Sequence, residues 1–292
     1  MKKLLKGLMA IALALTVTAC GDSGSQPELL QQIKDKGYIT LATSPDFAPN
    51  EFYVLKDGTQ TIVGTDISLA QAIADEIGVE LKINAVDFNN VISEVQSGNA
   101  DLGISGFAWT ETRAKSVKFS DNYAQTVDDG WQGLMIRKED AAKFKTLDDI
   151  KAANLRIGAQ TGSIQYEMAS HLTDVKNIVP IADNTILAQE LAIKGIDAYV
   201  ITSTQAAAAM NANDSIMLLP EDGFNLDPEN KYSQTGAVFS MTANNDSLIA
   251  IVNKVIKDAK VVNAEGKSQL DIWADEAEKL LPFDLTKTIY GY

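Results

Sequence analysis

The chain of 292 residues contains a single cysteine, Cys20, and a single histidine, His171. One cysteine closes no internal disulfide. The fold must therefore be held by packing, and a hydrophobic content of 46% allows a full core. One cysteine and one histidine do not make a metal site of the usual nitrogen–sulfur kind. His171 is expected on a helix surface, or packed against one, rather than in chemistry. Long apolar runs are missing too. The stretch from Leu8 to Val17 is about half the roughly 20 residues that a membrane-spanning helix needs. Positive charge is in deficit, with 25 Lys and Arg against 39 Asp and Glu, for a net charge of −14. Setting aside the three N-terminal lysines Lys2, Lys3 and Lys6 leaves −17. Nucleic acid is excluded as a partner, because phosphate binding needs a basic face. Anionic lipid repels such a body, which should stand off any membrane surface.

What the N-terminus does have is informative. A basic start, the short apolar stretch and then Val17-Thr18-Ala19-Cys20 have the layout of a secretory signal peptide. A cysteine directly after small residues resembles a bacterial lipobox. The resemblance implies cleavage before Cys20 and a lipid on its sulfur. The alternative is an ordinary signal peptide with an incidental cysteine. Residues 1–19 are thus expected to be a lipoprotein signal peptide and residues 20–36 a lipidated tether. The tether opens on the small, polar Gly21-Asp22-Ser23-Gly24-Ser25-Gln26-Pro27. The rest is expected outside the cytoplasm, anchored to the cell membrane. Removing 19 of the 292 residues leaves enough chain for two domains.

Beyond residue 37, strand and helix patterns alternate, which points to an α/β fold. Strands are expected at 38–42, 79–86 and 100–105. Gly64-Thr65-Asp66 opens a helix with Leu69, Ala70, Ile73 and Ile77 on one face, and Gly78 ends it. Asp87 or Asn89 caps a second helix, stopped by Gly98. A similar set follows, with strands at 155–159 and 197–201, a helix after Ser163, and another capped at Asp183-Asn184-Thr185. A late helix begins at Asn245-Asp246.

Ligands of open α/β sheets bind outside the carboxyl ends of the strands. Ser105-Gly106-Phe107-Ala108-Trp109, Thr161-Gly162-Ser163-Ile164 and Thr202-Ser203-Thr204 occupy such places. Thr110 can cap a short helix that turns Arg113 back toward the first of them. An arginine there either holds a carboxylate with two parallel bonds or pairs on the surface with nearby Glu111. Gly106 lets backbone approach a ligand closely. Ser163 and Thr161 either cap a helix or help present its N–H groups to an anion. Phe47, in a loop bracketed by Pro45 and Pro49, and Phe88 could sandwich a ligand side chain or pack locally.

Several ordered motifs run through nearly the whole chain after the tether. They include Ala42-Thr43-Ser44-Pro45-Asp46-Phe47-Ala48-Pro49, Gly64-Thr65-Asp66-Ile67-Ser68-Leu69-Ala70 and Val86-Asp87-Phe88-Asn89-Asn90. They continue with Asp101-Leu102-Gly103-Ile104-Ser105-Gly106, Thr110-Glu111-Thr112-Arg113-Ala114-Lys115, Gly158-Ala159-Gln160-Thr161-Gly162-Ser163 and Gly195-Ile196-Asp197-Ala198. In this order they resemble the extracellular solute-binding proteins of polar amino-acid ABC importers, family 3. The resemblance implies the type II periplasmic-binding-protein fold, with two α/β lobes joined by two hinge strands. Lobe 1 would span roughly 37–125 and 235–292, and lobe 2 roughly 129–230.

It also implies roles. Phe47 and Phe88 would pack on the ligand side chain, and Ser105, Gly106 and Ala108 would line the floor. Arg113 would hold the α-carboxylate, helped by backbone N–H near Ser163 and Ile164, with Gln165 reaching in from the next turn. Two positions depart from the family. Ala108 stands where Ser or Thr is common, and Thr202 where an acid pairs with the ligand's α-ammonium. The ammonium would then need another acid, such as Glu51, Asp128 or Asp129, or be held by hydroxyls and carbonyls. Otherwise the ligand is a carboxylate without a free α-amine. Trp109 and the two phenylalanines lean toward a ligand with apolar content.

The expected partners are this small molecule and the ABC permease, with no cofactor implied and the protein a monomer. A dehydratase-type enzyme of the same fold is the rival reading, but no acid–base pair is visible. A receptor sensor would carry a transmembrane segment and a cytoplasmic domain after the lobes, and neither is read before Tyr292.

Overall fold

A computed structural model describes residues 27–123 and 130–290. Cys20, Asp128 and Asp129 lie outside the described residues. Within the stretch expected as a tether over 20–36, Leu29–Lys36 form helix α1. Its Ile33 is buried in the first lobe, and Gly37, at φ 77°, ends it in the left-handed conformation that glycine adopts at low cost.

The first pass of the chain contains β1 (Tyr38–Thr43), β2 (Asp46–Phe47), β3 (Glu51–Lys56), β4 (Thr59–Val63), α2 (Thr65–Ile77), β5 (Glu80–Ala85), α3 (Phe88–Ser97), β6 (Leu102–Gly103), α4 (Glu111–Ala114) and β7 (Val117–Phe119). A second set follows: β8 (Gln132–Arg137), α5 (Leu147–Ala153), β9 (Ile157–Gln160), α6 (Ile164–Ala169), β10 (Ile178–Ile181), α7 (Asn184–Ala192), β11 (Ala198–Thr202), α8 (Ser203–Ala212), β12 (Ile216–Leu218) and α9 (Glu221–Phe224). The chain then returns through β13 (Val238–Ser240), α10 (Asp246–Ala259), α11 (Gln269–Glu278) and α12 (Leu285–Tyr290).

These elements build two five-stranded sheets, one per lobe. The first has the order β5-β1-β6-β13-β7 and the second β10-β9-β11-β8-β12. In each, four strands run in one direction and one, β13 in the first sheet and β8 in the second, runs against them. The segment expected as a strand over 100–105 pairs as β6 only at Leu102–Gly103. The Asp101 and Ile104 N–H groups still donate to Thr40 O and Ala42 O of β1, and Ser105 and Gly106 then turn under the cleft. The hairpin sheet β2-β3-β4, which the sequence patterns did not announce, sits between β1 and α2.

Side chains of a strand alternate between faces, so each sheet has a core on both sides. In lobe 1, Ile39 and Leu41 meet Leu69 and Ile73 of α2 and Leu248, Val252 and Ile256 of α10. Ala42 and Val238 meet Val91 and Val95 of α3 on the opposite face. In lobe 2, Leu134, Ile136, Ala198 and Val200 point one way. Met135, Tyr199 and Ile201 point the other, against Leu187 and Leu191 of α7. The return crossing runs beside the cleft floor, where Ala108 bridges Thr235 and the Gly236 N–H donates to Phe107 O at 3.1 Å. Within the stretch assigned to lobe 1, α12 lies against α8 of lobe 2. Among the described residues no helix is long and apolar enough to cross a membrane.

Ile73 is fully enclosed between sheet and helices. Ile73→Ala should lower unfolding stability by about 2–5 kcal/mol in urea titrations, through lost burial and a residual cavity. Ile193→Ala, at a 72% exposed position, should change it by less than about 0.5 kcal/mol. Equal effects would contradict this core assignment.

Candidate ligand-binding cleft

A cavity of about 740 Å³ opens at the carboxyl ends of the parallel strands, with walls from both lobes. Phe47, Phe88, Ser105, Gly106, Ala108, Arg113, Ser163, Ile164, Gln165 and Thr202 all line it. Residues separated by up to 155 positions are thus brought around one space, because each follows a strand end that points there.

Arg113 dominates the site's chemistry. Thr110 caps α4 by accepting the Arg113 backbone N–H at 3.1 Å. Nη1 donates to Ala108 O at 2.8 Å, and Nη2 crosses the cleft to Gly162 O at 3.0 Å. The guanidinium lies 5.6 Å from the Phe88 ring centre and 5.3 Å from that of Phe107. Those two rings stack at 4.7 Å. Phe88 is therefore packed against Phe107 and Arg113 as well as lining the cavity with Phe47. Glu111 pairs with Lys115 at 3.1 Å instead. Among the described residues Arg113 has no salt-bridge partner. Burial lowers its pKa to about 10, against the opposing pull of Glu167 and Tyr232.

Below the floor lies an acidic layer. Ser105 Oγ donates to Glu51 Oε1 at 2.6 Å and accepts the Ser44 N–H at 3.1 Å. The Gly106 N–H and the Tyr123 hydroxyl both donate to Asp66 Oδ2, at 2.9 Å each. Gly106 has φ +57°, and a Cβ there would sit 2.8 Å from the Phe47 ring. A side chain at this position would push Phe47 away. Glu51 and Asp66 are buried, and neither Glu51 Oε2 nor Asp66 Oδ1 meets an N–H or hydroxyl donor. The two carboxyls interact with each other. Burial pushes both up, and the Asp66 charge raises Glu51 further. A proton kept on Glu51 and donated to Asp66 satisfies both oxygens. Glu51 is thus a support under the floor and does not line the cavity.

Lobe 2 is neutral at the position where the family pattern expects an acid, while Glu221 and Asp227 line the cavity elsewhere. Thr202 and Thr204 hydroxyls are 3.2 Å apart, and Gln165 Nε2 donates to Gln132 Oε1 at 2.9 Å. Ser163 caps α6 by accepting the Tyr166 N–H, and its own N–H already donates to Gln160 O at 3.2 Å. That amide is taken and does not add to an anion site. Trp109 is 46% exposed and does not line the cavity, which removes its part in the apolar lean. His171 is exposed.

Trp131, Gln132, Gln160, Tyr123 and Tyr232 also line the cavity and were not among the residues singled out. Gln132 pairs with Thr202 across the antiparallel β8–β11 ladder. Its strand runs the opposite way, so the rule of carboxyl ends overlooks the amino end of β8.

The profile of the bacterial extracellular solute-binding proteins, family 3, matches residues 39–264. The chain belongs to this family. The family-3 chain is 31% identical over 260 residues to the arginine-binding extracellular protein ArtP of Bacillus subtilis, covering 88% of this chain and 92% of ArtP. The solved structure of the substrate-binding protein AbpA of Streptococcus pneumoniae, bound to L-arginine, superposes with a TM-score of 0.74 at 33% identity, covering 86% of this chain and 98% of that one. The two-lobe, type II architecture is shared. A cyclohexadienyl dehydratase of Pseudomonas aeruginosa is 22% identical over 191 residues, covering 65% of this chain and 69% of the enzyme. The family therefore has enzymes among its relatives.

The acid pair gives a pH signature. Glu51 has a raised pKa in the fold, so folding takes up a proton between its ordinary value of 4.5 and the folded value. Its contribution to stability is present below 4.5 and is lost as pH rises through that window. Glu51→Gln supplies a permanent N–H donor toward Asp66. The melting temperature of Glu51→Gln, relative to that of the wild type, should rise from pH 4.5 to pH 8. Glu51→Ala should be destabilised throughout. A constant difference between Glu51→Gln and wild type across that range would rule out the shared proton.

Proposed function

We propose that this chain is the solute-binding subunit of an amino-acid ABC importer, tethered to the membrane through lipid on Cys20. It captures its ligand in the cleft as a monomer and delivers it to the permease. The observation that carries the reading is Arg113, a desolvated guanidinium held by two carbonyls and two rings with no carboxylate partner among the described residues. A carboxylate brought by the ligand supplies the missing charge, with two parallel hydrogen bonds. Family membership and the arginine-binding relatives support amino acid as the ligand class. Phe47 flanks the ligand side chain, and Ser105, Gly106 and Ala108 form its floor. Closure of the lobes traps it.

A second reading is favoured by Thr202. The hydroxyl pair Thr202–Thr204 and the amide pair Gln132–Gln165 offer dipoles, not charge, to an α-ammonium. A desolvated ammonium without a counter-charge is costly. The ligand is then a carboxylate with a neutral or masked α-substituent. Thermal unfolding with free α-amino acids beside their deaminated and N-acylated analogues separates the two readings. A ligand at 100 times its Kd adds about 2.7 kcal/mol of stability, or roughly 5–10 °C in Tm.

Arg113→Ala should weaken binding of whichever compound raises Tm by at least about 30-fold in calorimetry. Arg113→Lys should fall between, since it keeps the charge and loses the fork. Unchanged affinity in Arg113→Ala would remove the central residue of this assignment.

A further inference from the structure

We propose that Asp46 is the closure latch of the cleft. It is a positioning residue that bonds lobe 1 to lobe 2 and sets how long a captured ligand stays, without being the group that holds the ligand. Asp46 belongs to β2 in lobe 1, yet two of its three donors belong to lobe 2. Its Oδ2 accepts Gln160 Nε2 at 2.9 Å and the backbone N–H of Asn184 at 2.8 Å. Ser44 Oγ, from its own lobe, donates to Oδ1 at 3.1 Å.

Asn184 is the first residue of α7, and the N–H groups of a first helical turn have no partner within the helix. Two acids divide them here. Asp183, the cap within lobe 2, accepts the N–H of Thr185 at 2.6 Å and of Ile186 at 3.3 Å. Asp46 takes Asn184 from the other lobe. The cap of α7 is thus completed only when the lobes meet. A charge at a helix N-terminus is also favoured by the helix dipole.

Gln160 joins the latch to the cleft. It ends β9, lines the cavity, and its Nε2 also donates to Ala182 O at 3.1 Å. Two residues on, Gly162 O receives Arg113 from lobe 1. The loop from β9 to α6 is therefore gripped by lobe 1 at both ends of a short stretch. One grip is at the proposed ligand anchor and the other is at Asp46. Burial of the Asp46 carboxyl raises its pKa to about 6, with the Asp183 charge adding to the effect. Removal from water in the closed arrangement accounts for that direction.

The kinetic part of this inference rests on the proposed cleft-binding function, and the geometric part does not. Three variants of the full mature chain test it. Asp46→Ala removes the acceptor. Asp46→Asn keeps an acceptor oxygen. Asn184→Pro removes only the donor, at the first helical position that proline tolerates well. L-arginine is the probe, by stopped-flow fluorescence, and small-angle scattering without ligand reports lobe separation.

Asp46→Ala should release L-arginine about tenfold faster or more, with an association rate within about threefold of wild type. Its ligand-free radius of gyration should be larger. Asn184→Pro should shift both readings the same way by less, and Asp46→Asn should stay near wild type. Wild-type dissociation and an unchanged radius of gyration in both Asp46→Ala and Asn184→Pro would overturn the latch. If wild type binds no L-arginine, the arginine probe fails, and scattering alone decides the latch. A larger radius in both variants then supports it, and an equal one overturns it.

Discussion

A positive charge partly withdrawn from water is stabilised by a negative one. Arg113 is half-buried beside the stacked rings of Phe88 and Phe107, where the lobes meet, and its guanidinium donates to carbonyl oxygens. Carbonyl dipoles orient a guanidinium but do not neutralise it. The features around it follow from this constraint. α4 is capped by Thr110 at the strand end, which fixes the backbone of Arg113 there. Phe107 is fully buried so that it can stack Phe88 beneath the charge. The return crossing at Thr235–Gly236 braces the same floor.

The negative charges of lobe 1 are placed at a distance from that cation. Glu51 is sealed under the floor and the buried Asp66 stands at the cavity's edge, with Ser105, Tyr123 and the Gly106 N–H occupying their other oxygens. Asp46 faces the opposite lobe. Raised pKa values in all three reflect burial. None of them pairs with Arg113, so the cation stays available to a ligand while the acids fix backbone and lobes. This separation of roles is what the proposed capture of an anionic ligand between the lobes requires.

Much of this was legible in order along the chain. Glycines 78 and 98 end α2 and α3 where the pattern stops them. Asp183 and Ser163 cap the helices they precede. The ten residues named for the cleft all reach one cavity, because strand ends converge and each residue sits just beyond one. The hairpin sheet β2-β3-β4, the helix within the expected tether and the span of α12 onto lobe 2 were not legible. Each is set by what a segment packs against, and Ile33 reads as one apolar residue in a polar stretch until it meets its core.

The sequence by itself determined the class of fold, the family and the positions from which a ligand would be approached. Those depend on periodicity, on turn residues and on local caps, which are properties of neighbours in the chain. Only the tertiary structure decided which charges meet. It gave Glu111 to Lys115 and, among the described residues, left Arg113 without an acid. It turned Glu51 inward to Asp66 and brought Asp46 to the end of a helix 138 residues away. Electrostatic partners are chosen by distance in space and by exclusion of water, and neither is encoded in the spacing of residues along a chain.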